Sequence, residues 1–138
     1  MEVNVEERVE MARKNFSSGY NCAQSVVLAY SDIMDVDPKI LATLSASFGG
    51  GMGRLREVCG AVSGMSMVAG ALAPAFDPAE RAAKSANYTL VKNLADEFKS
   101  QNGSIICREL LLHGAKRPCA KLVEMAAEIV AHSINNGN

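Results

Sequence analysis

Apolar positions recur along this chain at helical spacing, and no segment alternates as a half-buried strand would. Val5, Val9, Ala12 and Phe16 form one stripe, which Gly19 closes. Asn21 is a suitable N-cap for a second helix whose inner face runs Cys22, Val26, Ala29 and Ile33. Asp37-Pro38 supplies a cap and a first-turn proline for a third, expected to end at Gly49-Gly50-Gly51. A fourth is expected from about Glu57 to Ala73. Its Gly60, Ala61, Ser63, Gly64 and Ala71 cost helix propensity, which is tolerable where another backbone must come close. That places it at the centre.

Asp77-Pro78-Ala79-Glu80 reads as a near capping box for a long fifth helix carrying Ala83, Asn87, Leu90, Leu94 and Phe98 inward as far as Gly103. Ser104 caps a sixth with Cys107, Leu110 and Leu111. Pro118 opens a seventh with Cys119, Leu122, Val123, Ala126 and Val130 facing in, and the tail from Asn135 to Asn138 is expected to fray. With no repeat, linker or low-complexity tract, residues 1–138 are expected to form a single all-α domain. Its architecture is a compact bundle of about seven helices around the small-residue helix Glu57–Ala73.

Composition narrows the function. The chain is 49% apolar and 21% charged, a globular balance. A formal net charge of −1, 5% aromatics and no Trp argue against nucleic acid as a partner. Val58 to Phe76 is uncharged, but Gly, Ala and Ser dominate it and Pro74 interrupts its end, so a buried helix is expected there and not a membrane span. The acidic start MEVNVEERVE does not read as a signal peptide, which leads to the expectation of a cytoplasmic, reducing location with free, metal-bound or cycling thiols. A homodimer is a further expectation, because a small-residue apolar helix often meets a twin.

The candidate chemistry lies in four cysteines. Cys22 follows a cap residue, Cys59 follows a glycine-rich loop, Cys107 follows Ser104, and Cys119 follows Pro118. Each is expected near the first turn of its own helix, where free N–H groups and the helix dipole lower a thiol's pKa. Each also heads an apolar stripe, as a cysteine acting as a small hydrophobe would. No Cys-x-x-Cys occurs, so neither a zinc ribbon nor a thioredoxin-type pair can be read off.

Other motifs are weaker. The Gly49–Gly53 loop beside Arg54 and Arg56 could cradle an anion, but it lacks the Walker lysine and follows a helix, which favours a plain turn. His113 is a candidate ligand, proton donor or helix-end residue, and His132 is expected to be solvated. Met52, Met65, Met67 and Met125 read as core filler.

Asn21-Cys22-Ala23-Gln24, the loop Phe48-Gly49-Gly50-Gly51-Met52-Gly53, Cys59-Gly60-Ala61-Val62-Ser63-Gly64, and then Cys107 and Cys119 resemble the C_GCAxxG_C_C family, described as redox-active and named for its cysteines. The resemblance runs from about Phe16 to Val130. Val58 stands where the family name writes glycine. The resemblance implies that Cys22, Cys59, Cys107 and Cys119 are the redox-active thiols and metal ligands, with Gly51, Gly53 and Gly60 lying against the group they hold. The family also resembles the non-haem part of split-Soret cytochromes, for which a small iron–sulfur centre is suggested. Covalent c-type haem is excluded because Cys-x-x-Cys-His is absent.

Three uses of the thiols then compete. Four thiolates complete the shell of a two-iron cluster, whose negative charge Arg54, Arg56, Lys116, Arg117 and the helix N-termini would offset. One or two dithiol/disulfide couples need no metal. Tetrahedral zinc takes the same ligands in a structural interaction domain. A redox partner protein of unknown identity is implied by the first two.

Overall fold

A computed structural model describes residues 1–74, 76–112 and 119–137, the side chain of Leu112 excepted. Among the described residues eight helices run in the order α1 (Val5–Ser17), α2 (Cys22–Leu28), α3 (Ser31–Met34), α4 (Pro38–Ser45), α5 (Gly60–Leu72), α6 (Arg81–Asn102), α7 (Cys107–Leu112) and α8 (Cys119–Asn135). A short 3₁₀ turn, Ala46–Phe48, and a tight glycine turn, Gly49–Met52, link α4 to the segment before α5. The expected all-α fold is the one observed. No helix among the described residues is long and apolar enough to cross a membrane.

The caps form where the side chains allow. Asn4 accepts from the N–H of Glu7, Asn21 and Gln24 form a reciprocal capping box on α2, and Asp37 accepts from Lys39 ahead of Pro38. The core is a band of Ala, Val and Met from α2, α5 and α8, with Tyr30 and Phe98 as its largest fully buried side chains. α5 is buried on α2, α6 and α8, as its small residues predict. Its Gly60–Gly64 face is occupied by α2 of the same chain: a Cβ on Gly64 would lie 2.9 Å from Val26 Cβ and 3.0 Å from the Ala23 carbonyl.

Four boundaries differ from those the sequence predicts. The second helix breaks into α2 and α3 because Arg8 of α1 takes the Ala29 carbonyl (Nη1 to O, 2.8 Å), leaving it no intrahelical partner. Arg8 is buried, stacks over the Tyr30 ring at 5.1 Å, and pairs with both oxygens of Asp32 on α3. The third helix ends at Ser45 because the glycine run is left-handed at Gly50 and Gly51, and not helical.

The fourth begins at Gly60, with Cys59 as N-cap, because Glu57 and Val58 are engaged elsewhere: Val58 pairs antiparallel with Ile106 in an isolated β-bridge. The fifth begins at Arg81. Asp77 accepts from Ala79 and closes a turn with Glu80, so the expected capping box is a turn before the helix. Met52 also departs from its expected role: it is exposed and not core filler.

Candidate functional site

Each cysteine lies at the start of a helix. Cys22 and Cys119 are the first residues of α2 and α8, Cys107 is the first of α7, and Cys59 is the N-cap of α5. Ser104 fixes the entry to α7, accepting from the N–H of Ile106 while its hydroxyl donates to Glu109. What brings the starts of α5 and α7 together is long-range backbone pairing. The Cys59 N–H donates to the Ile105 carbonyl (2.8 Å) and the Cys107 N–H to the Glu57 carbonyl (2.6 Å). That bridge holds the α5 and α7 cysteines on neighbouring strands of backbone.

Glycines set how close the segments come. A Cβ on Gly51 would lie 2.8 Å from Cys107 Cβ and 2.7 Å from the Glu57 nitrogen. One on Gly60 would lie 2.9 Å from the Phe48 carbonyl and 3.1 Å from Cys22 Cβ. Five consecutive residues, Gly50 to Arg54, have positive φ, and so does Arg56. For Met52, Arg54 and Arg56 this is strain of about 1–3 kcal/mol each, held in place by the loop's own hydrogen bonds. The N–H groups of Gly53, Arg54, Arg56 and Glu57 donate to the carbonyls of Ser47, Gly49, Gly50 and Gly51. Those four amides are therefore used within the loop, which is a structural turn and not a phosphate cradle built from them.

All four cysteines line one cavity of about 200 Å³, together with Gly50, Gly51, Gly60 and Arg56. Gly53 is not in that lining and serves the turn. Cys59 and Cys107 are buried, Cys22 and Cys119 half-buried, and all four are free thiols. The Arg56 guanidinium donates to Cys107 Sγ at 3.7 Å. Arg54 lies outside the lining, with its side chain against Gly50. His113, Lys116, Arg117 and Pro118 lie outside the described residues. His132 is exposed and 3.5 Å from Glu128, away from the cysteines.

The thiols are not equivalent, contrary to the expectation that every helix start would lower its cysteine's pKa. The neighbouring Cys22 thiol, with Cys119's own N–H and Arg56, favours the Cys119 thiolate and pushes that thiol down to about 6 against its burial. The same pairing, followed by burial, raises Cys22. Burial pushes Cys59 up to about 11, outweighing the amides of Ala61 and Val62 that favour its thiolate. At Cys59 desolvation overrides the helix terminus.

Cys59 and Cys107 are joined through their backbones by the bridge, and Cys22 and Cys119 are the two thiols that shift each other's titration. Among the described residues no three or more His, Cys, Asp or Glu are grouped so as to hold a single metal ion. Four thiolates complete the shell of a two-iron cluster, so the donor set and a cavity larger than one ion fit that group.

Fold and site together define an all-α protein with four thiols converging on one cavity. Residues 20–133 match the model of a family described as "Putative redox-active protein (C_GCAxxG_C_C)", and the chain belongs to it. No curated protein and no solved structure matches the chain.

Proposed function

We propose that this chain is a redox protein that carries electrons for a partner protein through a two-iron cluster held by Cys22, Cys59, Cys107 and Cys119. The observation that supports this most directly is that four cysteines from four helix starts line a single cavity, two more than a dithiol couple requires. Bound there, the cluster would supply one-electron chemistry. The chain's own residues bind and tune it. Cys22, Cys59, Cys107 and Cys119 would hold it, and the Arg56 N–H at Cys107 Sγ would withdraw negative charge from that sulfur. Gly51 and Gly60 let the four segments close without a side chain between them.

The test is anaerobic purification, visible spectroscopy, and iron and acid-labile sulfide analysis. Colour with iron and sulfide in equal amounts, lost in Cys59→Ser, is expected. A chain that stays colourless after reconstitution with ferrous iron and sulfide overturns the reading.

A second reading rests on Cys22 and Cys119 lining the same cavity as free thiols, with Cys119 favoured as thiolate. The Cys119 thiolate attacks a partner's disulfide and expels one of its thiolates. Cys22 then displaces the other as its own proton leaves, so the partner gains two electrons and the chain ends with a Cys22–Cys119 disulfide. Here Cys119 is the first thiol alkylated in the metal-free protein, and oxidation removes two hydrogens without touching Cys59 or Cys107.

A further inference from the structure

The loop over the cysteine cavity holds side chains where its backbone would favour glycine. Met52, Arg54 and Arg56 are left-handed, at φ +69, +64 and +63, a conformation that glycine takes without strain. What these residues add lies on the outside. Met52 is 47% exposed and Leu55 60% exposed, and the exposed Arg54 and Arg56 flank Leu55. A Cβ on Gly50 would lie 2.9 Å from Arg54 Cγ and 3.6 Å from Arg56 Nη1. Both arginine side chains therefore converge over Gly50, which lines the cysteine cavity.

Two like charges held this close repel, and the chain does not offset them. Among the described residues neither arginine has a carboxylate partner. The nearby acids are engaged elsewhere: Glu57 pairs with Arg108 at 3.0 Å, and Glu109 accepts from the Ser104 hydroxyl. Arg56 commits one N–H to Cys107 Sγ, which leaves four of a guanidinium's five donors free. Exposed Met and Leu between arginines have the anatomy of a protein docking surface, apolar at the centre and charged at the rim. The charge of that rim fixes the charge of what it meets.

We propose that the loop Met52–Arg56 docks an acidic face of a partner protein, with carboxylates on Arg54 and Arg56 and an apolar side chain on Met52 and Leu55. The partner is thereby seated over the cysteine cavity. This rests on the redox reading for why a protein docks here, but the contact itself needs no cluster.

The probe is flavodoxin, an acidic one-electron carrier, with cytochrome c as its basic counterpart. Each is titrated into the isotope-labelled chain as purified, so that binding is read whatever the cysteines hold. Flavodoxin should shift the amides of residues 52–56 and bind at least tenfold tighter than cytochrome c. Its Kd should rise about tenfold between about 20 and 200 mM NaCl, as screening sets in. Arg54→Gly should weaken flavodoxin binding about threefold or more without lowering the urea midpoint, because glycine accepts φ +64. Leu55→Ser, which keeps the loop's left-handed residues, should weaken it by a similar factor. Lys84→Gln removes the same unit charge from an exposed position near the start of α6 and should leave the Kd within twofold.

The proposal is overturned by no saturable flavodoxin binding at low salt, or by cytochrome c binding as tightly. It is also overturned if Arg54→Gly and Lys84→Gln weaken binding equally, or if the chain self-associates with Arg54 and Leu55 covered by a second copy. A colourless chain that still binds flavodoxin through this loop supports the docking surface and removes the cluster. A coloured chain that fails to bind it does the reverse.

Discussion

The two ends of α5 are built from the same small residues and use them in opposite ways. At its start, Gly60 and Gly64 have no side chains because α2 occupies that space: the Phe48 carbonyl, Cys22 Cβ, Val26 and the Ala23 carbonyl would all collide with a Cβ. There the missing atoms bring Cys22 against the helix headed by Cys59. At its end, a Cβ on Gly70 would meet nothing within 4 Å, and Ala69 and Ala73 border an apolar cavity. There the missing atoms leave room. A small residue in a sequence therefore marks either contact or space, and only the neighbour decides which.

The sharpest test of the crowded end is Gly51→Ala. Gly51 sits at φ +72, and its Cβ would fall within 2.8 Å of Glu57 N, Arg56 Cα and Cys107 Cβ. The left-handed conformation costs alanine about 1 kcal/mol and the overlap with fixed backbone about 2 more. A loss of about 3 kcal/mol in urea unfolding is expected, with iron retention after reconstitution falling at least as steeply. A change below about 0.5 kcal/mol would mean that the loop does not clamp Cys107. Gly64→Ala comes next. Its backbone is helical, so only the overlap with Val26 and the Ala23 carbonyl counts, and a loss of about 1–2 kcal/mol is expected.

The same contrast sets what could be read in advance. The start of each cysteine-bearing helix was legible where its signal is local: Asn21 and Gln24 before and within α2, and Ser104 before α7. The pairing of Cys59 with Cys107 was not. It depends on one antiparallel bridge between segments far apart in sequence, too short to leave an alternating pattern. The positive φ at Met52, Arg54 and Arg56 was equally hidden, because these residue types carry no preference for it.

Arg8 was missed because a charged residue reads as surface. The available signal was its position one turn before Ala12 on the buried face of α1. The non-equivalence of the thiols followed from depth, which helix starts do not encode. The size and centrality of α5 were legible from composition alone, whereas the cavity at its far end required knowing that α6 faces it with alanines.

A pH titration separates the Arg8 node from both ends of α5. The hydrogen bond from Arg8 holds the Asp32 carboxyl below its ordinary value of 3.8. In falling pH the unfolded chain therefore takes up this proton first. The stability Asp32 contributes is complete above about pH 5 and is lost as pH drops through 3.8 toward the lower folded value. The carboxylate is 56% exposed, so the effect is discounted to about 1 kcal/mol or less. Melting temperatures between pH 6 and 2 should fall more steeply for the parent chain than for Asp32→Asn. Parallel curves would show that the pair contributes nothing. The cysteine cavity should be unchanged in this variant at neutral pH.

The smallest expected effect is also the one of opposite sign. Gly70→Ala adds a methyl where nothing lies within 4 Å, near the end of the helix whose other glycines cannot take one. Alanine restricts the unfolded chain and favours the helix, a gain of about 0.5 kcal/mol this close to a terminus. Urea midpoints should therefore move down for Gly64→Ala and up for Gly70→Ala, although the two changes are chemically identical and less than two turns apart on one helix. Two midpoints shifting in the same direction would show that helix propensity, and not the neighbour, governs α5. The close approach of α2 would then lose its role in setting the cysteine cavity.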